Sequence, residues 1–176
     1  MRGFRRTIDR ILAGALIILM GGAVLNVLWQ VFTRWVLNDP SSYTEELARY
    51  LLIWVGLLGA AYASGKKMHL AIDLLPSKLE GRRRHLLEIA IELFVFLFAV
   101  AVMTVGGIRL MSLAFLMGQV SAALGIPLGY VYLVLPLSGI LIAFYSLESI
   151  YERMRAARGK AADLVEPGRS TELPID

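Results

Sequence analysis

The sequence predicts an all-α membrane protein with four transmembrane helices. Of its 176 residues, 57% are hydrophobic and only 18% are charged, and the mean hydropathy is +0.65. The apolar residues also come in blocks with the charges between them, whereas a soluble domain of this length would show a polar residue every few positions. Composition and patterning therefore both indicate a chain that is largely embedded in a bilayer.

Four apolar runs have the length of a membrane crossing. A helix rises about 1.5 Å per residue, so about 20 residues cross a hydrocarbon core of about 30 Å. The predicted spans cover about 11–33, 44–64, 87–108 and 128–147. They make up a transmembrane domain over 1–155, followed by a mobile polar cytosolic tail over 156–176.

The first run can be interpreted in two ways. A basic start followed by an apolar stretch and Gly21-Gly22-Ala23 is compatible with a cleaved signal peptide. The apolar run continues well past that site, which favours a retained helix. Asn26, Gln30 and Arg34 are spaced four apart, so they form one polar stripe that should not face lipid.

The distribution of basic residues predicts the orientation. Fifteen of the eighteen Lys and Arg residues lie in the N-terminal segment, the middle loop and the C-terminal segment. By the positive-inside rule, these three regions are cytoplasmic. Because the basic residues flank apolar runs, they indicate topology rather than nucleic-acid binding. The residues predicted as membrane anchors are Arg5, Arg6, Arg10, Lys66, Lys67, Arg82, Arg83 and Arg84.

The middle loop also contains apolar residues. Leu70, Ile72, Leu74 and Leu75 are interleaved with polar and charged residues such as His69 and Asp73 before Pro76. This pattern predicts a short amphipathic segment that lies in the cytosolic interface between helices 2 and 3.

Charged residues cluster at the outer ends of the spans. Ser42 and Glu45 have capping-box spacing, and Glu45 and Arg49 are four apart on one helical face. Because the first connector is short, Arg34 should lie close to Glu45 and Glu46, and we hypothesise a salt bridge between them. These residues form either a helix cap with an interfacial anchor, or a polar clasp against a neighbouring helix or protein.

Arg109 and Gln119 extend the same candidate interface. Arg109 follows the predicted end of the third span, but the chain stays apolar through Met117, so the helix either extends beyond the membrane or places Arg109 within it. An arginine at that depth should snorkel to the interface or pair with an acidic group such as Glu45 or Glu46. Gln119 begins an uncharged connector. The predicted partner-interface or clasp residues are thus Arg34, Glu45, Glu46, Arg49, Arg109 and Gln119.

The sequence provides no signature of catalysis. It has no cysteine, which excludes disulfides and thiolate chemistry, and no nucleophile elbow, zinc-protease or phosphate-loop motif. His69 and His85 lie in the predicted cytosolic loop, which disfavours haem ligation within the bundle. A proton-coupled exporter needs an ionisable group deep in the membrane, and the middle of the spans has at most Asn26. We therefore expect a scaffold with no cofactor rather than an enzyme.

Several segments in order resemble one known family. They are Gln30–Leu37 (QVFTRWVL), Tyr43–Tyr50 (YTEELARY), Gly59–Ala63 (GAAYA), His69–Asp73 (HLAID), Gln119–Ser121 (QVS) and Ile126–Tyr130 (IPLGY). Together they resemble the small membrane subunit, DctQ type, of tripartite ATP-independent periplasmic (TRAP) transporters. Tyr43 stands where that family more often has tryptophan, and the resemblance covers about residues 8–150.

The resemblance implies a non-catalytic scaffold in the bacterial inner membrane, with both termini cytoplasmic. Its partners would be a large TRAP membrane subunit, which carries the sodium and substrate sites, and a periplasmic binding protein that delivers an organic acid. Glu45, Glu46 and Arg49 would face these partners. The alternative is a self-sufficient small four-helix transporter or the membrane anchor of a redox enzyme.

Overall fold

The computed structural model of the chain describes residues 2–37, 41–66 and 82–163. Within these ranges, four helices are long and apolar enough to cross a membrane. The prediction of an all-α protein with four transmembrane helices is therefore confirmed. The predicted amphipathic segment between the second and third spans falls in residues 67–81, outside the described ranges.

The four helices are numbered in chain order. Helix α1 is Arg2–Trp35, and α2 is Ser42–Gly65. Helix α3 is one continuous run of Arg82–Phe98, the π-helical Ala99–Gly106 and Gly107–Leu116. Helix α4 consists of Leu128–Tyr132 and Val134–Asp163, separated by Leu133.

Helix α3 extends to Leu116, beyond the end near residue 108 that the sequence predicted. Arg109 therefore lies within the helix. Two residues after the helix ends comes Gly118, whose φ of 59° is the left-handed conformation that favours glycine. The N–H of Gly118 donates to the Phe115 carbonyl at 3.1 Å, and that of Gln119 donates to the Ala114 carbonyl at 3.0 Å. This glycine-based cap, rather than Arg109, terminates the third span.

Helix α4 also exceeds its predicted end. It continues to Asp163, so the first part of the predicted polar tail over 156–176 is helical. The alanines, Arg158 and Lys160 of that part are strong helix formers, which explains why polarity was a poor guide to the end of the helix. Residues 164–176 lie outside the described ranges.

The start of α2 differs from prediction by one residue. The N-cap of α2 is Ser41, not Ser42, and its side chain makes no capping bond to the backbone. Its hydroxyl instead lies 2.8 Å from the Thr44 hydroxyl. In α4, Pro127 is the N-cap.

Pro136 explains the interruption of α4. Proline has no N–H and its ring clashes with the carbonyl four residues earlier, here that of Tyr132. The first segment of α4 ends at this residue, and Leu133 is a turn.

Helix α4 is the centre of the bundle. Helix α1 packs on α2, α2 packs on α4, and α4 packs on α3. In the most apolar 18-residue stretch of α4, 44% of the residues are buried, compared with 6% to 11% in the corresponding stretches of the other three spans. Leu12, Ala61, Ala99, Met103 and Ile142 form a buried cluster with one or two members from each helix.

Glycines bring the backbones of α3 and α4 close together. A Cβ added to Gly139 would lie 2.6 Å from Thr104 Oγ1, 2.8 Å from Met103 Cβ and 2.9 Å from the Ala99 carbonyl oxygen. The Thr104 hydroxyl donates to that same carbonyl at 2.9 Å, within the π-helical turn. Small residues at helix contacts permit this packing, which drives helix association in lipid.

We predict that Gly139→Ala destabilises the bundle, because its methyl group would overlap backbone and side-chain atoms of α3. Overpacking of this kind costs about 1 to 3 kcal/mol. The matched control is Gly56→Ala, since nothing lies within 4 Å of a Cβ at that position. Thermal unfolding of the detergent-purified variants measures both effects. Equal melting temperatures for the two variants would contradict this packing.

Candidate functional site

Glu46 ties the connector between α3 and α4 to the start of α2. Its Oε2 accepts the backbone N–H groups of Ala123 at 2.8 Å and Leu124 at 3.2 Å. Its Oε1 accepts the hydroxyl of Tyr50 at 2.6 Å. We call Glu46, Tyr50, Ser121, Ala123 and Leu124 the Glu46 clasp. A single carboxylate thus fixes a turn that is distant in sequence.

The connector itself is a compact turn that suits this role. The Ser121 N–H donates to the Ile126 carbonyl at 2.9 Å, and the Leu128 N–H donates to the Gln119 carbonyl at 2.9 Å. Gly125 has a φ of 65°, which reverses the chain between these two bonds. The Leu124 N–H, which donates to Glu46, also donates to the Ser121 hydroxyl at 3.1 Å. The exposed surface of the connector is therefore held in one shape.

The predicted bond between Arg34 and the two glutamates is not formed. Glu45 pairs with Arg49 instead, at 4.0 Å across one helical turn, and both side chains are largely exposed. Glu46 is engaged by the clasp. Arg34 is exposed at the end of α1 and has no ion-pair partner among the described residues. Exposed pairs such as Glu45 and Arg49 contribute at most about 1 kcal/mol.

Arg109 points away from the bundle. It lies two residues after Gly107, which packs against Leu135 and Pro136 of α4, so it is about 200° around the helix from that contact. It is exposed and, like Arg34, has no ion-pair partner within the described ranges. Gln119 is exposed too, and its amide lies 3.7 Å from the Met117 sulfur. The structure therefore does not bring Arg109 to Glu45 or Glu46.

One residue of the polar stripe of α1 makes a hydrogen bond to α2. The Asn26 amide donates to the Thr44 carbonyl at 2.7 Å. Nearby, the Trp29 indole N–H donates to the Tyr43 hydroxyl at 3.1 Å. Asn26 therefore joins the C-terminal half of α1 to the start of α2, as expected for a polar residue that avoids lipid.

A second network joins α1, α2 and α4 at the end where α1 begins. The Tyr145 hydroxyl donates to Asp9 Oδ1 at 2.7 Å, and Lys66 Nζ lies 3.4 Å from Asp9 Oδ2. Arg5 donates to the Gly65 carbonyl and lies 3.3 Å from Glu148. We call Arg5, Asp9, Lys66, Tyr145 and Glu148 the Asp9 cluster. It links α1, the end of α2 and α4 through hydrogen bonds and ion pairs.

Sequence reasoning found only the cations of this cluster. Arg5 and Lys66 were predicted as membrane anchors, whereas Asp9 and Glu148 were not singled out. One signal was available, because Asp9 is the only acidic residue before Asp39 and lies among four arginines. An isolated acid in a basic segment indicates an internal partner.

A third network joins α3 and α4. Arg153 donates to Glu88 and lies 3.9 Å from Glu92. The Ser149 hydroxyl donates to Glu92 at 2.9 Å. These charged groups, too, are paired within the chain.

The other predicted anchors are only partly described. Arg6 and Arg10 are exposed on α1. Lys67 lies outside the described ranges, as do the side chains of Arg82, Arg83 and Arg84, although their backbone begins α3. Within the described residues, no group of three or more His, Cys, Asp or Glu side chains is placed to hold a metal ion.

Comparison with known proteins identifies the family. The sequence profile of the tripartite ATP-independent periplasmic transporters, DctQ component, matches residues 23–156. The chain belongs to the DctQ family. The resemblance of the sequence segments is thereby confirmed, and this DctQ chain is a small permease subunit of a TRAP transporter.

Relatives of two kinds are similar to this DctQ chain. The sialic acid TRAP transporter small permease protein SiaQ of Vibrio cholerae is 30% identical over 94% of the chain and 95% of its own length. The sialic acid TRAP transporter permease protein SiaT of Haemophilus influenzae is 29% identical over 78% of the chain. The isethionate TRAP transporter permease protein DctMQ of Oleidesulfovibrio alaskensis is 29% identical over 70%. The match covers only 21% of SiaT and 19% of DctMQ.

We predict that Glu46→Ala loosens the connector between α3 and α4. The N–H groups of Ala123 and Leu124 lose a charged acceptor, which leaves the turn with fewer bonds to α2. Hydrogen exchange should accelerate at these two amides. Glu45→Ala is the matched control, because that exposed carboxylate pairs only with Arg49 among the described residues. Unchanged exchange in Glu46→Ala, or an equal change in the control, would contradict the clasp.

Proposed function

We propose that this DctQ chain is the non-catalytic brace of a TRAP transporter in the bacterial inner membrane. It packs beside a large membrane subunit that carries the sodium and substrate sites, and a periplasmic binding protein delivers an organic acid to the complex. The observation that carries this proposal is the matched segment inside SiaT and DctMQ, where it occupies about a fifth of a longer permease. In these relatives, a segment similar to this chain is covalently joined to the rest of the permease and therefore works beside it. This supports the same arrangement when the small and large subunits are separate chains.

The internal geometry supports a brace rather than a carrier. The Glu46 clasp, the Asp9 cluster and the pairing of Arg153 with Glu88 and Glu92 use charges at the ends of the helices to hold the chain's own elements. The buried cluster between the helices, in contrast, is apolar. Carriers place substrate and ion sites near the midplane.

Uptake measurements test the proposal directly. We expect the chain alone, in proteoliposomes with a sodium gradient, to carry no organic acid, and expect uptake when the large subunit and the binding protein are added. The chain should also co-purify with the large subunit. Uptake by the isolated chain, or a haem absorption band, would instead favour the self-sufficient transporter or the redox anchor.

Arg109 is the proposed contact of α3 with the large subunit. It faces away from α4 and lies six residues before Phe115, which packs on Gly129 at the start of α4. Six residues correspond to about 9 Å along the helix, so Arg109 lies below the outer end of the span. An arginine near the bilayer centre costs about 2.5 to 3.5 kcal/mol unless it snorkels or pairs. A carboxylate or carbonyl of the large subunit would remove that cost.

We predict that Arg109→Gln weakens co-purification of the large subunit, and that Arg109→Lys, which retains the charge, restores part of it. Arg10→Gln serves as the control, because Arg10 is an exposed arginine on a different helix, α1. Affinity capture of the tagged chain, with the bound large subunit quantified, measures the effect. Full capture by Arg109→Gln would show that Arg109 snorkels and does not contribute to the interface.

The orientation proposed from the basic residues can be tested with single cysteines, because the chain has none of its own. Gly3 and Ala122 are both exposed and lie near opposite ends of the bundle. In intact cells with a permeable outer membrane, a membrane-impermeant maleimide should label Ala122→Cys and spare Gly3→Cys. The reverse pattern would place the termini in the periplasm.

A further inference from the structure

An open cleft of about 530 Å³ lies beside the first turns of α1. The end of α2 and the inner part of α4 complete its walls. Its charged lining consists of four cations and three acids, which are Arg5, Arg6, Arg10, Lys66, Asp9, Glu148 and Glu152, and Ala13 and Tyr62 form an apolar side. The cleft thus has a small excess of positive charge and borders apolar residues.

Arg6 and Arg10 provide positive charge that the chain does not use. Both oxygens of Asp9 are engaged, by Tyr145 and Lys66, and Glu148 faces Arg5. In contrast, Arg6 and Arg10 are exposed and make no ion pair with a described residue. One helical turn apart, they project from one face of α1 into the same cleft. Two such guanidinium groups are suited to bind a phosphate group.

An apolar groove continues from this cleft along α1. It has a volume of about 630 Å³ and is lined by Leu16, Ile17, Met20, Gly21, Val24 and Leu25. Arg10, Ala13, Ile17 and Gly21 follow one another at spacings of three or four, so cleft and groove share one helical face. Gly21 leaves the groove open, since nothing lies within 4 Å of a Cβ placed there.

The dimensions match one lipid leaflet. Eleven residues separate Arg10 from Gly21, which is about 16 Å along a helix, close to half of a hydrocarbon core of about 30 Å. A phosphate held at Arg10 would therefore leave an acyl chain along the groove, reaching about the bilayer centre at Gly21. A soluble phosphate compound has no acyl chain that could occupy the apolar groove.

We propose that this face of α1 is a binding site for one anionic phospholipid. Arg6 and Arg10 bind its phosphate, and the groove around Gly21 holds an acyl chain. The site is separate from Arg109, which lies on α3, so lipid binding and assembly with the large subunit can be tested independently.

Native mass spectrometry of the full chain, released from detergent with added phosphatidylglycerol, tests the site. Arg6→Gln/Arg10→Gln should lower lipid occupancy roughly 10- to 30-fold, since each basic residue contributes about a factor of five toward an anionic lipid. Arg34→Gln/Arg49→Gln removes the same charge at the other end of the bundle and should leave occupancy unchanged. Phosphatidylcholine should bind more weakly than phosphatidylglycerol to the unaltered chain.

The groove has its own matched pair of variants. Gly21→Leu should fill the groove and reduce lipid occupancy, whereas Gly56→Leu, at an equally open position on α2, should not. Excess inorganic phosphate should fail to displace the lipid. Displacement by phosphate together with full binding to Gly21→Leu would identify a simple anion site and overturn the proposal.

The large subunit is the other candidate occupant of this face. When it is co-purified with the chain, the Arg6→Gln/Arg10→Gln and Gly21→Leu variants should retain it while losing lipid. Loss of the large subunit from both variants, with lipid occupancy unchanged, would assign the face to that subunit and contradict a lipid site.

Discussion

The bundle depends on its contacts with α4, because lipid provides little drive for helices to associate. Lipid tails are as apolar as leucine, so burying one apolar helix face against another gains little in a bilayer. Close packing and hydrogen bonds must hold the helices instead. Gly107 and Gly139 provide the close packing between α3 and α4. Tyr145 and Ser149 provide hydrogen bonds from α4 to α1 and α3, respectively.

The charged groups fall into two sets, those that pair within the chain and those that remain exposed. Glu46, Asp9, Glu88, Glu92 and their partners stabilise the chain itself, at the ends of its helices. Arg6, Arg10 and Arg109 are exposed on its surface without an ion-pair partner in the described ranges. In a protein that is embedded in lipid and assembled with a larger subunit, such cations are the groups available for binding lipids and partners.

Hydropathy was enough to predict the class of fold, since four apolar blocks of about 20 residues leave few alternatives. The ends of α3 and α4 were harder, because the apolar run gave a span end near residue 108, whereas α3 continues to Leu116 and stops before the left-handed Gly118. The break in α4 follows from Pro136, a signal that the sequence contains and that the span assignment ignored.

The contacts within the candidate site were only partly predictable. The spacing of Glu45 and Arg49 predicts their pairing across one turn, and Asn26 was expected to avoid lipid. No local pattern, however, relates Glu46 to Ala123, or Asp9 to Tyr145, because these pairs are 77 and 136 residues apart in sequence. Their proximity results from the packing of α2 and α1 around α4, which a single sequence does not encode as a short motif.

The account rests on polar bonds that tie the outer helices to α4, and the bond between Asp9 and Tyr145 is its clearest case. A double-mutant cycle with Asp9→Asn, Tyr145→Phe and the combined variant, measured by denaturant unfolding in mixed micelles, isolates that bond. We predict a coupling of about 0.5 to 3 kcal/mol, as found for residues in direct contact. Additive effects of the two substitutions would contradict the claim that this bond holds α1 to the centre of the bundle.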